Sequence, residues 1–320
     1  MTTSWLRNLE QIIVALSGLA FASTATAQTR CDARPLMLQV LGSGGPFTAG
    51  NRASSGYLIW RDGRAIVMVD AGGGTFLRFS EAGARLDDLS ILAISHLHPD
   101  HVADLTALLW QSDRIRSKPL RLAGPSGAGA FPAMDVFVKR LFDSAGGAFP
   151  ILSGTLGQKG TGVRLDVVSL DVTASEPARV LLDQDLEVTS LGVPHGNVPT
   201  LAYRVRIGDR SVVFGGDQNG SNPRFIDFAA GADLLVMHTS LTQGAGDAIA
   251  LRHARPAIVG QVATSARARR LVLSHLIQAV PPAETEWYSL SDLAGTLAEV
   301  RKNYAGPIVT ATDLECIPID

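Results

Sequence analysis

Short runs of hydrophobic residues recur along the chain and predict β-strands. The runs cover residues 36–41, 57–60, 65–70, 91–94, 186–191, 201–205, 211–214, 234–237 and 271–274. Runs of this length that are rich in Val, Ile and Leu are typical of buried strands. Helices are expected at 104–111 and at 252–269. Strands in both halves with helices between them predict an α/β fold, a four-layer αββα sandwich in which helices cover two central sheets.

Polar residues follow many of these strands. The strand at 91–94 leads into the sequence HLHPDH at 96–101, which has the spacing H-x-H-x-D-H. Later strands lead to His195, Asp217, His238 and His275. Sites of layered α/β folds collect where such strands end. Between them, Gly- and Pro-rich sequence in residues 112–185 predicts long loops that could form a substrate wall.

Three histidines and one aspartate within six residues indicate a metal site, because imidazole and carboxylate suit zinc and other first-row metals. The two-residue step places His96 and His98 on one side of an extended loop. Asp100 and His101 then turn toward a second position. The sequence therefore predicts two divalent ions per chain, zinc before manganese or iron, and all seven histidines, His253 included, can be placed in this one site.

Length and charge set further expectations. The chain has 320 residues, 18% of them charged, and a net charge of −2 without a run of Lys or Arg. This length fits one large α/β domain or two small ones, and no low-complexity linker divides residues 28–320, so one domain is expected there. Without a basic patch for a phosphate backbone, nucleic acid is not expected as a partner.

The first 27 residues resemble a secretory signal. Arg7 provides a positive charge, residues 12–21 an apolar core and residues 25–27 an A-x-A cleavage site. The alternative is a short amphipathic N-terminal helix of a cytosolic protein. A periplasmic or secreted protein is expected, with no membrane anchor, because the apolar stretch is too short to span a bilayer and no cysteine directly follows residue 27.

Two cysteines, Cys31 and Cys316, lie near opposite ends of the chain. In an oxidising compartment an even pair favours a disulfide that ties the two termini together. Two free thiols are the alternative.

The chain resembles the metallo-β-lactamase superfamily over nearly all of its length after residue 27. The likeness is greatest to the branch of ribonuclease Z and the related arylsulfatase-type and phosphodiesterase enzymes. The matching segments are LGSGGP, VDAGGGT, SHLHPDH, PHGNVPTLAYRV, VVFGGD, RLVLSH and TATDL.

This resemblance implies a ligand set for two metals. The first metal would be held by His96, His98 and His195. The second would be held by Asp100, His101 and His275, with Asp217 bridging both. A bridging carboxylate keeps two cations about 4 Å apart, and a hydroxide shared between them needs no protein base to act as nucleophile. Asp70 would orient a ligand histidine, the alternative being an ordinary turn aspartate.

The chain departs from ribonuclease Z at two positions. His238 lies in MHTS, where ribonuclease Z has H-E-A-T, and His253 takes the place of the histidine in its H-S-T motif. In the family the Glu–His pair transfers a proton to the leaving group. We expect His238 and His253 to assist the leaving oxygen here, and with Asp100 they form the predicted catalytic set. The long basic arm that ribonuclease Z uses on tRNA is not found, so tRNA processing is rejected at this point.

The predicted function is therefore a secreted binuclear hydrolase of a small anionic ester, either a phosphodiester or an aryl or alkyl sulfate. A lactonase or β-lactamase-type activity ranks lower, because Asp217 stands where zinc β-lactamases place Cys. A di-metal redox protein ranks lower still, since no flavin domain is present. Dimers are common in this branch, which leaves a homodimer open.

Overall fold

Two seven-stranded sheets form the centre of this computed structural model, which describes residues 31–47, 49–110, 118–158, 163–278 and 290–320. The first sheet has the order β14 (Cys316–Pro318), β1 (Leu36–Gly42), β2 (Gly56–Arg61), β3 (Arg64–Val69), β4 (Ile91–Ala93), β5 (Leu120–Pro125) and β6 (Leu165–Leu170). The second has the order β13 (Ile308–Thr310), β12 (Arg270–Ser274), β11 (Leu234–His238), β10 (Arg210–Phe214), β9 (Thr200–Ile207), β8 (Leu186–Val193) and β7 (Ala178–Asp183).

Parallel strands run side by side in both sheets. Strands β3 to β6 are parallel to one another in the first sheet. Strands β10 to β13 are parallel in the second. The carboxyl ends of parallel strands meet at one edge of a sheet, which is where sites of such folds collect.

Helices lie between the strands. Their bounds are α1 (Thr75–Glu81), α2 (Pro99–Val102), α3 (Leu105–Trp110), α4 (Met134–Phe142), α5 (Pro223–Phe228), α6 (Asp247–Ala250), α7 (Pro256–Ser265) and α8 (Leu293–Arg301). Among the described residues, no helix is long and apolar enough to cross a membrane.

Three hydrophobic cores separate four layers. Side chains of a strand alternate between its two faces; in β1, Leu38 and Val40 pack between the sheets, whereas Met37 and Leu41 pack toward the helices of the first sheet. The third core joins the second sheet to α5, α7 and α8. The prediction of an α/β sandwich with helices on both outer faces is confirmed.

Two sequence-based predictions about local structure are wrong in part. Residues 112–185 are not only loops, because β5, α4, β6 and β7 lie within them. Strand β6 has exposed residues among half-buried ones, so it lacks the continuous hydrophobic run of a buried strand. The helix expected over 252–269 begins only at Pro256, the N1 position, where the proline ring is favourable. His253 therefore lies in the turn before α7.

A disulfide joins Cys31 to Cys316, with the two Cα atoms 5.6 Å apart. Cys316 opens β14, which pairs with β1 so that Gln39 faces Cys316. The bond thus fastens the segment before β1 to the edge strand that β1 already pairs with. The sequence proposed as a signal, residues 1–27, lies outside the described residues.

Candidate metal centre

The predicted ligands converge at the strand ends of the two sheets. His96 and His98 lie in the loop after β4, and Asp100 and His101 lie in the short helix α2 that follows. The second sheet supplies the remaining candidates from the ends of three strands, which are His195 after β8, Asp217 after β10 and His275 after β12. The site therefore forms only where the two sheets meet.

Three imidazole nitrogens and a carboxylate make up the first donor group. His96 Nε2 is 3.0 Å from His98 Nδ1, which is 3.5 Å from His195 Nε2. Asp217 Oδ2 lies 3.5 Å from His195 Nε2 and 3.8 Å from His96 Nε2. These four ligand atoms lie within 4.8 Å of one another.

The outward nitrogens of two of these rings are held by the protein. His195 Nδ1 donates to the carbonyl oxygen of Arg252 at 2.8 Å, and His96 Nδ1 lies 3.1 Å from the Ser95 hydroxyl. Each contact leaves Nε2 directed inward with its lone pair, as is usual for metal-binding histidines. The local sequence achieves this by placing Ser95 directly before His96.

The second donor group lies beside the first and shares Asp217. His101 Nε2 is 3.3 Å from His275 Nε2, and Asp100 Oδ2 is 3.1 Å from His275 Nε2 and 3.6 Å from His101 Nε2. Asp217 Oδ1 lies 3.6 Å from His275 Nε2, and its Oδ2 lies 3.8 Å from His101 Nε2. The two oxygens of one buried carboxylate thus face both groups.

Asp70 and Ser240 orient the rings of the second group. Asp70 Oδ2 accepts from His101 Nδ1 at 2.8 Å, and Asp70 also accepts from the backbone N–H and hydroxyl of Ser95. The Ser240 hydroxyl lies 2.7 Å from His275 Nδ1. Asp70 and His275 have φ angles of 59° and 56°. Non-glycine residues seldom adopt such angles, and those that do are often found at functional sites.

Two glycines allow the backbone to approach the site closely. A Cβ added to Gly45 would lie 2.6 Å from Cε1 of His275, and one added to Gly72 would lie 2.1 Å from the carbonyl oxygen of Asp100. Gly45 belongs to the LGSGGP segment and Gly72 to the VDAGGGT segment. Both segments therefore lie directly against ligand residues, and a side chain at either glycine position would displace one of them.

Burial and charge set the protonation of the site. Burial holds the pKa of His96 well below its ordinary value and lowers the pKa of His195, so these rings are neutral at pH 7. Neutral imidazole is the form that binds metal. Burial acts in the same sense on His101, but three carboxylates outweigh it and raise the pKa of His101 to about 10. These carboxylates belong to Asp100, Asp70 and Asp217.

Asp217 is ionised. Burial alone would raise the pKa of its carboxyl, but the surrounding histidines, His275 first among them, hold that pKa well below its usual range. A buried carboxylate ringed by imidazoles is a strong acceptor for cations.

These donors fit a pair of metal ions. Where three ring nitrogens face one another at 3.0–3.5 Å, a single proton can serve only one contact, whereas one cation serves all three. Nitrogen donors with carboxylates match the preference of zinc and related first-row metals. The two groups sharing Asp217 would hold two ions, with His96, His98 and His195 on one and Asp100, His101 and His275 on the other.

The structure places His238 and His253 differently from each other. His253 lies beside the first group, with its ring centre 4.9 Å from that of His195 and its Nδ1 3.8 Å from Asp217 Oδ2. His238 lies behind Asp217, where Nδ1 is 2.6 Å from Asp217 Oδ1 and Nε2 is 3.2 Å from the Tyr57 hydroxyl. Because protein groups engage both of its nitrogens, the geometry does not favour the predicted contact of His238 with a leaving group.

Sequence reasoning missed several residues around the ligands, three of them polar and one aromatic. Ser95 and Ser240 adjoin predicted ligand segments, so their position in the sequence was a usable signal. Tyr57 carried no such signal, since it is 181 residues from His238. Phe131 forms an edge contact with His98, with ring centres 5.7 Å apart, and lies in the loop after β5.

Sequence comparisons show similarity to one protein family and to ribonuclease Z. The profile of the family described as Anti-Pycsar protein Apyc1 matches residues 36–127, less than half of the chain. A ribonuclease Z from Mycobacterium sp. (strain KMS) is 28% identical over 270 residues, which cover 78% of this chain and 87% of that protein.

Solved structures share the fold. The short form of human tRNase Z has a TM-score of 0.66 at 21% identity, covering 89% of this chain and 99% of that one. The metallo-β-lactamase fold protein YhfI from Bacillus subtilis has a TM-score of 0.65 at 22% identity, covering 89% of this chain and 100% of that one.

The prediction that nucleic acid is not a partner is contradicted by the ribonuclease Z and tRNase Z relatives, which are named for action on RNA. The rejection of tRNA processing loses its basis for the same reason. The error came from the net charge. The value of −2 is a sum over the whole chain and does not describe any one site, whereas a phosphate can be bound by metal ions inside a small site.

The sequence likeness extends over most of both chains, and the family profile match includes the ligand segment at 96–101. The sequence likeness to ribonuclease Z and the fold shared with metallo-β-lactamase structures support a metal-dependent hydrolase of the metallo-β-lactamase superfamily, in the branch that includes ribonuclease Z.

Proposed function

We propose that this protein is a binuclear phosphodiesterase whose substrate is RNA or a smaller nucleotide phosphodiester. The observation that carries this proposal is the pair of donor groups that share Asp217. In the second group the ligand atoms of His101, His275 and His238 lie within 4.8 Å of Asp217 and of one another, and Asp100 adjoins His101 and His275. Relatives named ribonuclease Z favour a phosphodiester over a sulfate ester.

When bound, the two ions would neutralise charge on the phosphoryl oxygens and lower the pKa of a water molecule. Residues of the protein itself hold the two donor groups at fixed positions relative to each other. Asp217 presents one oxygen to each side, and Asp70 fixes the tautomer of His101 by accepting its Nδ1–H.

His253 is the residue proposed to contact the leaving oxygen. Burial lowers its pKa to about 3, although Asp217 opposes this effect, so the ring is neutral at pH 7. A neutral imidazole can donate one N–H hydrogen bond to developing negative charge. Its help should matter most for leaving groups that carry the most charge.

Phe131 is proposed as part of the substrate wall. Its ring lies at the edge of His98, the least buried of the three histidines in the first group. Aromatic rings of this kind stack on nucleobases without strong sequence preference. A base or an aryl group next to the scissile phosphate would suit this position.

Zinc is the proposed metal, since nitrogen-rich donor sets with carboxylates are typical zinc sites. The protein is proposed to act in the periplasm or outside the cell. The disulfide between Cys31 and Cys316 supports this location, because such bonds persist in oxidising compartments.

The test compares four substrates with zinc-loaded protein whose metal content has been counted. They are bis(p-nitrophenyl) phosphate, an RNA oligonucleotide, p-nitrophenyl sulfate and a chromogenic cephalosporin. We expect two ions per chain and turnover of one or both phosphodiesters. Turnover of the sulfate or the cephalosporin alone would replace this proposal with a sulfatase or a lactamase.

A matched pair of variants ties the activity to the site. Asp217→Ala should lose most bound metal and all measurable hydrolysis, because both donor groups lose their shared ligand. Asp209→Ala removes a carboxylate that is 90% exposed on the β9–β10 turn and should behave as wild type. Full activity in metal-free Asp217→Ala would refute the binuclear mechanism.

A further inference from the structure

His238 ends β11 and is buried behind the shared carboxylate. Its Nδ1 is 2.6 Å from Asp217 Oδ1, the shortest contact that any histidine makes with Asp217 in the described part of the chain. Its Nε2 is 3.2 Å from the Tyr57 hydroxyl. Both edges of the ring are therefore occupied by protein groups.

The Tyr57 hydroxyl reaches this ring from the opposite sheet. Tyr57 lies in β2, is 1% exposed, and places its hydroxyl 2.8 Å from the hydroxyl of Ser274. Ser274 pairs with His238 in the register of β11 and β12, and directly precedes His275. The three side chains thus form a chain of contacts that ends on Asp217.

Asp217, the acceptor at one end of this series of contacts, determines where the hydrogen atoms lie. The ionised carboxylate of Asp217 can only accept, so Nδ1 of His238 carries the hydrogen. Nε2 then has a free lone pair that can accept from the Tyr57 hydroxyl, which also donates to the hydroxyl oxygen of Ser274. Burial raises the pKa of Tyr57, which keeps its hydroxyl protonated.

We propose that His238 is a positioning residue that holds Asp217 through an Nδ1–H hydrogen bond, with the Tyr57 hydroxyl at Nε2 supporting this tautomer. This proposal rests on the binuclear site proposed above. The hydrogen bond restrains the rotation of the carboxylate, so that Oδ1 stays with the second donor group and Oδ2 with the first. His238 then takes no part in proton transfer to the leaving group, and that contact falls to His253 alone.

Two amide variants of His238 separate this role from its rivals. The amide of His238→Asn falls near the former Nδ1, whereas that of His238→Gln falls near the former Nε2. We expect His238→Asn to bind two zinc ions within about threefold of the wild-type affinities. His238→Gln should bind the weaker ion about 10–100-fold less well, the usual loss when a residue supporting a ligand is removed. Calorimetric titration of the metal-free variants with zinc measures this without any substrate.

Nitrogen NMR on labelled protein gives an independent reading of the tautomer. We expect the Nδ1–H form of His238 in both the metal-free and the zinc-loaded state, and a mixture of tautomers in Tyr57→Phe. Tyr57→Phe keeps the buried ring and removes only the hydroxyl, so it also serves if either His238 variant fails to fold. Loss of the Nδ1 hydrogen on zinc binding would instead make His238 a metal ligand, and equal zinc affinities in the two amide variants would refute positioning.

Kinetics distinguish positioning from proton donation. With His238→Asn and His238→Gln, turnover of phosphodiesters with good and poor leaving groups should fall by the same factor. A larger fall for poor leaving groups would overturn the proposal and restore His238 as a proton donor. If wild-type protein binds two zinc ions, shows the tautomer and the affinity order, yet cleaves no phosphodiester, the proposed function fails and this inference stands.

Discussion

Removal of the disulfide between Cys31 and Cys316 should destabilise the protein substantially. The bond spans 285 positions of sequence, so it closes nearly the whole chain into one loop and lowers the entropy of the unfolded state. The chain-entropy relation gives about 5.6 kcal/mol for a loop of this length, above the usual range of roughly 0–5 kcal/mol found for disulfides. Because β1 and β14 remain paired without the bond, we expect a loss of about 3–5 kcal/mol.

The assay is urea unfolding of Cys316→Ala and of the double variant Cys31→Ala/Cys316→Ala, followed by circular dichroism. The free energy of unfolding should fall by about 3–5 kcal/mol and the denaturant slope should rise, because the unfolded chain becomes more expanded. The melting temperature should fall by roughly 6–10 °C, at about 2 °C per kcal/mol for a chain of this size. The single variant controls for packing, since it breaks the same bond while keeping the buried sulfur of Cys31.

Two results would refute this reasoning. A loss of unfolding free energy below about 1 kcal/mol with an unchanged denaturant slope would mean that β1–β14 pairing alone holds the terminus. The entropy of closing the long loop would then contribute little to stability. A double variant much less stable than the single variant would assign the effect to the packing of Cys31, which is 1% exposed.

Three further predictions concern the metal centre. His253→Ala should keep both ions but slow phosphodiesters with poor leaving groups more than those with good ones, and an equal loss in a leaving-group series would remove the hydrogen-bond role. Asp70→Asn should lower zinc affinity about 10–100-fold in calorimetric titration, because it weakens the restraint on His101 Nδ1; unchanged affinity would argue against orientation by Asp70. In the metal-free protein, burial lowers the pKa of His101, but nearby carboxylates outweigh burial and raise that pKa to about 10. The stabilisation of the fold by protonated His101 is therefore complete below about pH 6.5 and is lost as the pH rises toward 10. Zinc must displace that proton, so binding at pH 7.5 should release it to a pH indicator and zinc affinity should rise with pH; binding without proton release would contradict the raised pKa.

Most of the strands were predictable because their signal is local. A buried strand such as β11 or β12 needs an uninterrupted apolar run, and that run is visible in the sequence by itself. Strands β6 and β7 were missed for the converse reason. Each lies at the edge of its sheet and is partly exposed, so polar residues interrupt the pattern.

The sequence predicted the site only where its residues form a recognisable local pattern. The spacing at 96–101 and the single polar residues after strands identified the candidates that the structure brings together. The role of His238 could not be read in the same way, because it depends on Tyr57 from the other sheet and on which ring nitrogen meets Asp217. Such contacts are set by how two sheets pack, and a local pattern carries no information about that packing.

The division of the site between two sheets links metal binding to folding. The first sheet supplies the ligands at 96–101 and the Tyr57 hydroxyl, and the second supplies His195, Asp217 and His275. Burying so many polar groups between the sheets is costly unless each one is paired. Within the described chain, the hydrogen bonds of Asp70 and His238 offset part of this desolvation penalty without metal. Metal ions that bind only when the two sheets are packed together would add their binding free energy to the stability of the folded state. The polar layer at the strand ends therefore serves both as the proposed reaction centre and as the place where the two halves of the sandwich are aligned.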